Sequence, residues 1–287
     1  GMKQMLVKFG PESFEDIILL VASYRPGPMQ YIPDMIEIKH KRKKAEYIIP
    51  QLEDILGKTY GQCIYQEQLM DIFHKCAGFS LGKADLIRRF MSKKKEELFL
   101  KEKEPFLEGI IKKGASRKDA EKYWNELVEF AKYAFNKSHA ACYAVVSFQT
   151  AYLKTYYPVE FMAALMTSVI DNTSKVAGYI YACKQMNIAI LPPDVNESQM
   201  EFTVENGKIR FAMAAIKSLG RPTIQAILKE RRENGSFISM QDFVTRMSQA
   251  LNRRAIENFV KAGAFDTFGH TRKSMMIVSE SMLDSAI

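Results

Sequence analysis

From about Gln66 to Asn187 the apolar residues recur at the spacing of an α-helix, broken only near Gly78-Phe79-Ser80, Lys113-Gly114, Phe135-Asn136 and Tyr157-Pro158. So long a run of one periodicity makes the body of the chain helical. Ahead of it, Glu12 to Ser23 also reads as a helix, stopped by Arg25-Pro26-Gly27-Pro28 because proline removes a donor and restricts the residue before it. After Ile188 the texture changes. Leu191-Pro192-Pro193-Asp194 reads as extended, and Phe202-Thr203-Val204 and Ile209-Arg210-Phe211 flank Asn206-Gly207, a hairpin signal. Helices return over about Pro222–Arg232, Met240–Met247, Asn252–Ala262 and Thr271–Asp284. The expected fold is mainly α: a helical domain over 1–190, an extended and β-hairpin connector over 191–213, and a smaller helical module over 214–287.

With 287 residues, 47% of them hydrophobic, the chain can bury a sizeable core. Its 41 Lys and Arg against 33 Asp and Glu leave a formal charge of +8, which suits a phosphate-rich partner as well as a plain basic surface. Cys63, Cys76, Cys142 and Cys183 are far apart and form no C-x-x-C pair, which argues against a zinc module or a disulfide framework and fits a reducing cytoplasm. The early apolar run Ile17–Ala22 is too short and wrongly flanked for a signal peptide or a membrane span. An initial Gly in place of Met is expected of a tag remnant or of a chain that begins inside a longer protein.

Four segments carry chemical potential. Wound as a helix from a Ser80 cap, residues 80–95 put Leu81, Ala84, Ile87 and Met91 on one face and Asp85, Arg88, Arg89 and Lys93 on the other. Planar guanidiniums match phosphate oxygens better than single ammonium groups do, so Arg88-Arg89 suits a triphosphate, the plainer alternative being a solvated amphipathic helix. In Phe135-Asn136-Lys137-Ser138-His139-Ala140-Ala141-Cys142-Tyr143, a Ser138 cap would set His139 and Tyr143 one turn apart, with Asn136 and Lys137 at the positive helix entrance. That arrangement could seat a phosphate at the entrance and a base on the rings, or simply be a capped helix with half-buried packing residues. Tyr60 to Gln68 is a turn leading into a helix with amides and one carboxylate, and has no role legible by itself. Ala215 to Ile227, with the helical pair over 251–268, resembles a helix-hairpin-helix, whose glycine turn aims backbone N–H groups at a DNA phosphate. The usual pattern has a glycine two residues before Gly220, where this chain has Ser218. Paired strand aspartates, a P-loop and histidines at metal-ligand spacing are all missing, so no catalytic or metal site is expected.

Arg25-Pro26-Gly27-Pro28, Tyr65-Gln66-Glu67-Gln68, Arg88-Arg89 with Lys93-Lys94-Lys95, Asn136-Lys137-Ser138-His139 and Leu191-Pro192-Pro193-Asp194, in this order, resemble the C-family alpha subunit of bacterial replicative DNA polymerases over nearly the whole chain. The resemblance implies a helical fingers domain closing over a deoxynucleoside triphosphate, then a small β-hairpin element and a tandem helix-hairpin-helix gripping primer-template duplex. It implies that Arg88 and Arg89 meet the triphosphate, with Lys93, Lys94 and Lys95 adding field. Asn136, Lys137, His139 and Tyr143 would line the nascent base-pair pocket, with Arg25 near the palm–fingers junction. Lys217, Gly220, Arg221, Lys229, Arg231, Arg232, Arg253, Arg254 and Lys261 would meet DNA phosphates. The Mg2+-binding carboxylates would belong to a palm N-terminal to this stretch, leaving it inactive alone and with no cofactor of its own. Its neighbours would be the palm and thumb, with the sliding clamp and other replisome subunits reached through regions outside this chain. Two other classes stay open: a non-enzymatic helix-hairpin-helix DNA-binding or repair protein, which leaves the Arg88, Arg89 and Lys93–Lys95 cluster unexplained, and an interaction module for replisome proteins.

Overall fold

A computed structural model describes residues 1–92 and 95–285, and the chain divides into two compact units, Gly1–Thr150 and Ala151–Ile287. The fold is mainly α, with one small sheet. In the first unit run α1 (Met2–Phe9), α2 (Phe14–Ser23), α3 (Ile32–Lys39), α4 (Gln51–Leu56), α5 (Gln66–Asp71), α6 (Leu81–Ser92), α7 (Glu96–Leu100), α8 (Lys103–Ile111) and α9 (Arg117–Ala131). A long helix, α10 (Lys137–Tyr156), begins in this unit and ends in the next. Two apolar clusters build the unit. One gathers Phe73, Phe99, Phe106 and Trp124, the Phe99 and Trp124 rings stacked at 5.0 Å. The other joins Phe9, Leu19, Leu20, Met35 and Ile64 to Ala140 and Ala144 of α10. At Gly109 a Cβ would lie 2.0 Å from the Ala77 carbonyl oxygen, so only glycine lets α8 approach that close.

The breaks in periodicity fall where helices end, and the Ser13 hydroxyl and Asp16 carboxylate close a capping box at the start of α2. Two starts differ from the expectation. Leu81 is 59% exposed, because it opens α6 beyond the end of the cluster that covers Ala84, Ile87 and Met91. The cap of α10 is Asn136 and not Ser138: the Asn136 Oδ1 accepts from the His139 N–H at 3.0 Å, and the helix begins at Lys137.

In the second unit, α11 (Pro158–Ser168) and α12 (Thr173–Gln185) precede β1 (Ile190–Leu191), β2 (Thr203–Glu205) and β3 (Lys208–Arg210). β2 and β3 form the expected hairpin, with Asn206 and Gly207 both at positive φ as a primed turn requires, and β1 adds in parallel to β3. Next come α13 (Arg221–Asn234), α14 (Met240–Met247), α15 (Arg253–Ala262) and α16 (Arg272–Asp284), closed around Phe237, Phe243, Phe259 and Phe265. Among the described residues no helix is long and apolar enough to cross a membrane. Ser218 sits at φ 63 in the turn before α13, the left-handed region that glycine adopts without penalty. Replacing it with glycine should therefore raise stability by about 0.5–1 kcal/mol in urea unfolding, and a loss of stability would show that the hydroxyl matters more than the backbone.

Between α2, α3 and the Tyr60 turn lies a buried charge pair. Lys39 Nζ is 3.0 Å from Asp16 Oδ2, the two side chains being 6% and 5% exposed, and the Tyr60 hydroxyl donates to Asp16 Oδ1 at 2.7 Å. Burial pushes the Asp16 carboxyl up, but the Glu12 N–H, the Tyr60 hydroxyl and the Lys39 ammonium outweigh it and hold it below its ordinary 3.8. Burial and the bond to Asp16 push the Tyr60 phenol up to about 12. A carboxyl lowered by folding stabilises the fold in full above its ordinary value and loses that contribution as pH falls from there through the lower folded value. Lys39→Met leaves a buried carboxylate without its cation and should cost about 3 kcal/mol at neutral pH. That deficit should shrink below pH 3.8, where Asp16 is protonated in the unfolded chain. Equal deficits at pH 7 and at about pH 3, followed by circular dichroism, would rule the pairing out as the cause.

Candidate nucleotide and nucleic-acid interfaces

α6 presents its cations as the periodicity requires. The Ser80 hydroxyl accepts from the Lys83 N–H at 3.2 Å, and Ala84, Ile87 and Met91 go into the core. Arg88 is left 26% and Arg89 61% exposed. Asp85 serves both. Its Oδ1 accepts from Arg88 Nε at 3.0 Å and Nη2 at 2.8 Å, and its Oδ2 from Arg89 Nε at 2.7 Å. Hydrogen bonds from Arg88, then its charge and those of Arg89, hold the Asp85 carboxyl below its ordinary range. Lys95 is exposed, whereas Lys93 and Lys94 lie outside the described residues.

The start of α5 joins this helix to α10. The Gln66 N–H donates to the Phe135 carbonyl at 2.9 Å, its amide Nε2 to Ala134 O at 3.3 Å, and its Oε1 faces Arg88 Nη1 at 3.5 Å. Glu67 accepts from the Lys137 N–H at 3.0 and 3.2 Å and from Asn136 Nδ2 at 3.2 Å. The positive entrance of α10, where the sequence suggested a phosphate, therefore already holds a carboxylate. The Lys137 ammonium turns to Glu15 at 2.9 Å, over the Tyr65 ring. Asn136 and Lys137 thus both meet carboxylates distant in the chain, Glu67 and Glu15, which no local pattern reveals.

Arg25 forms one end of a stack. Its Nε donates to Ala22 O at 3.0 Å, its Nη2 to Tyr133 O, and its guanidinium lies 4.2 Å over the Phe135 ring. Burial lowers its pKa from the ordinary arginine value. Phe135 meets His139 at 5.3 Å, and His139 meets Tyr143 at 4.9 Å, the last 56% exposed. His139 and Tyr143 do share a face, and Phe135 completes the ladder.

In the second unit the turn Ile216–Gly220 leads into α13 with Gly220 as its cap residue, and Ser218 takes the glycine-like conformation that the usual motif needs. Asn258 of α15 donates to Lys217 O at 2.8 Å, and Thr223 to Ala250 O at 3.3 Å, tying this turn to the one before α15. Lys217, Arg232 and Arg254 are exposed. Arg221 lies 3.7 Å from Asp171, Lys229 4.0 Å from Glu233, and Arg253 and Lys261 share Glu257, all four cations more than half exposed. Arg231 differs from this set. It turns inward, its Nη1 donating to Val195 O at 3.0 Å and Ser198 O at 2.9 Å, and burial lowers its pKa. It staples α13 to the turn that follows Leu191-Pro192-Pro193-Asp194, next to buried Asp194, which accepts from the Thr267 hydroxyl at 2.8 Å.

Residues 1–114 match the family model described as the bacterial DNA polymerase III alpha subunit finger domain, and residues 187–275 match a helix-hairpin-helix motif model. The chain is 46% identical along its whole length to DNA polymerase III subunit alpha of Campylobacter jejuni, of which it covers 24%. It is 44% identical to the protein of the same name from Bacillus subtilis, covering 26%, and 43% to that from Neisseria meningitidis, covering 25%. It thus spans about a quarter of the length of these relatives, to which it is similar along its whole length.

Proposed function

We propose that this chain is the part of a DNA-directed DNA polymerase that meets the incoming deoxynucleoside triphosphate and grips duplex DNA. The observation that carries the reading is the joining, through Gln66 and Glu67, of the α6 guanidinium pair to the entrance of α10 and its aromatic ladder. Arg88 and Arg89 take the triphosphate, while His139 and Tyr143 offer faces to a base. Glu67 keeps the α10 entrance closed to phosphate. Mg2+ and the carboxylates that hold it are assigned to the palm of the longer chain, so this stretch supplies electrostatics and positioning and does not by itself join nucleotides. A free-standing helix-hairpin-helix protein would leave the finger-domain match over residues 1–114 without a purpose.

In the full-length alpha subunit, Arg88→Ala should lower kcat/KM for the incoming nucleotide by about ten- to a hundredfold, the worth of one charge-assisted hydrogen bond. Melting should hardly change, because an i, i+3 ion pair along one helix contributes only about 0.2–0.5 kcal/mol. Arg88→Lys should recover only part, the fork being lost. Unchanged single-nucleotide incorporation kinetics in both Arg88→Ala and Arg89→Ala would return α6 to a scaffold.

Duplex binding by the second unit should be independent of sequence and fall steeply between roughly 50 and 200 mM salt as condensed counterions are released. Lys217→Ala and Arg254→Ala should weaken it without lowering the melting temperature, whereas Arg231→Ala should lower the melting temperature by removing an inward staple. Salt-insensitive anisotropy titrations, or equal thermal effects in the three variants, would refute this division of labour.

A further inference from the structure

We propose that Asp85 is a positioning residue for the nucleotide, the common anchor that holds the Arg88 and Arg89 forks side by side; the proposal rests on the triphosphate reading of α6. Helical spacing alone does not align them. Residues 88 and 89 leave the helix about 100° apart, and two long side chains with several rotamers each would diverge. One carboxylate reconciles them by giving Oδ1 to Arg88 and Oδ2 to Arg89.

The edge that Asp85 uses matters as much as the bond. It grips Nε of both residues, together with Nη2 of Arg88. A planar guanidinium held through Nε alone keeps its terminal nitrogens for another bidentate acceptor, and among the described residues Arg89 Nη1 and Nη2 have no hydrogen-bond partner. Arg88 Nη1 reaches Gln66 Oε1 at 3.5 Å, a contact long enough to exchange for a phosphate oxygen. Asp85 itself is only 29% exposed, so it lies beneath the arms it holds.

The sign of the effect separates positioning from plain charge. Coulomb's law alone predicts that removing a carboxylate beside a triphosphate tightens binding. Positioning predicts the reverse, because both arms regain rotamers that must be frozen again on binding, about ten-fold for the pair. The test is single-nucleotide incorporation by the full-length alpha subunit. Asp85→Ala should raise KM for the nucleotide about ten-fold and move kcat less than about two-fold. Asp85→Asn, which keeps an acceptor oxygen, should recover part. In an Arg88→Ala/Arg89→Ala background Asp85→Ala should add nothing, and melting temperatures should stay together throughout. An unchanged or lowered KM in Asp85→Ala, an additive effect in the arginine-free background, or a fall in melting temperature that accounts for the loss would overturn the proposal. A parental KM in the arginine double variant fails the triphosphate reading itself, whereas a raised KM there beside a parental KM in Asp85→Ala fails Asp85 alone.

Discussion

The joint between α6 and α10 hangs on the buried amide of Gln68. Its Oε1 accepts from the N–H groups of Ile64 and Tyr65, and its Nε2 donates to Ile55 O and the Thr59 hydroxyl, which saturates the side chain at the start of α5. A buried polar group left unpaired costs about 1–3 kcal/mol, so this arrangement fixes where α5 begins. Gln66 and Glu67, two residues and one residue earlier, inherit that position. Between them they tie the arginine helix to the entrance of α10, two elements far apart in the chain.

Around this joint the charges are partnered in place. Asp85 serves Arg88 and Arg89, Glu15 serves Lys137, and in the second unit Glu257 serves Arg253 and Lys261. Pairs of this kind, open to solvent on at least one side, are worth little to folding, so the helices that carry them do not depend on them. The Asp16–Lys39 pair is the contrast. It is buried and bonded on several sides, and its place is in the scaffold.

Elements with a strong local signature were legible in the sequence. The apolar stripe of α6, the Asn206-Gly207 hairpin and the shared face of His139 and Tyr143 follow from periods of 3.6 and 2 and from turn chemistry. What escaped depends on distant partners. Arg231 resembles the other cations of α13 until Val195 and Ser198 accept its protons, and Lys39 begins a basic run yet is drawn inward by Asp16. Asn136 displaced Ser138 as the cap because its carbonyl oxygen reached the His139 N–H first in the chain. Ser218 shows the limit from the other side: the residue departs from the usual glycine, while the backbone keeps the glycine conformation.

α10 carries no Asp or Glu from Lys137 to Tyr156, and Tyr143, Val146, Phe148, Tyr152, Leu153 and Tyr156 are all exposed on it. A helix apolar on most sides is at home in an interior and not at a surface. Such a chain meets its limit in crowding before heat: with only Lys137 and Lys154 charged along the helix to hold copies apart, concentration governs whether it stays dispersed.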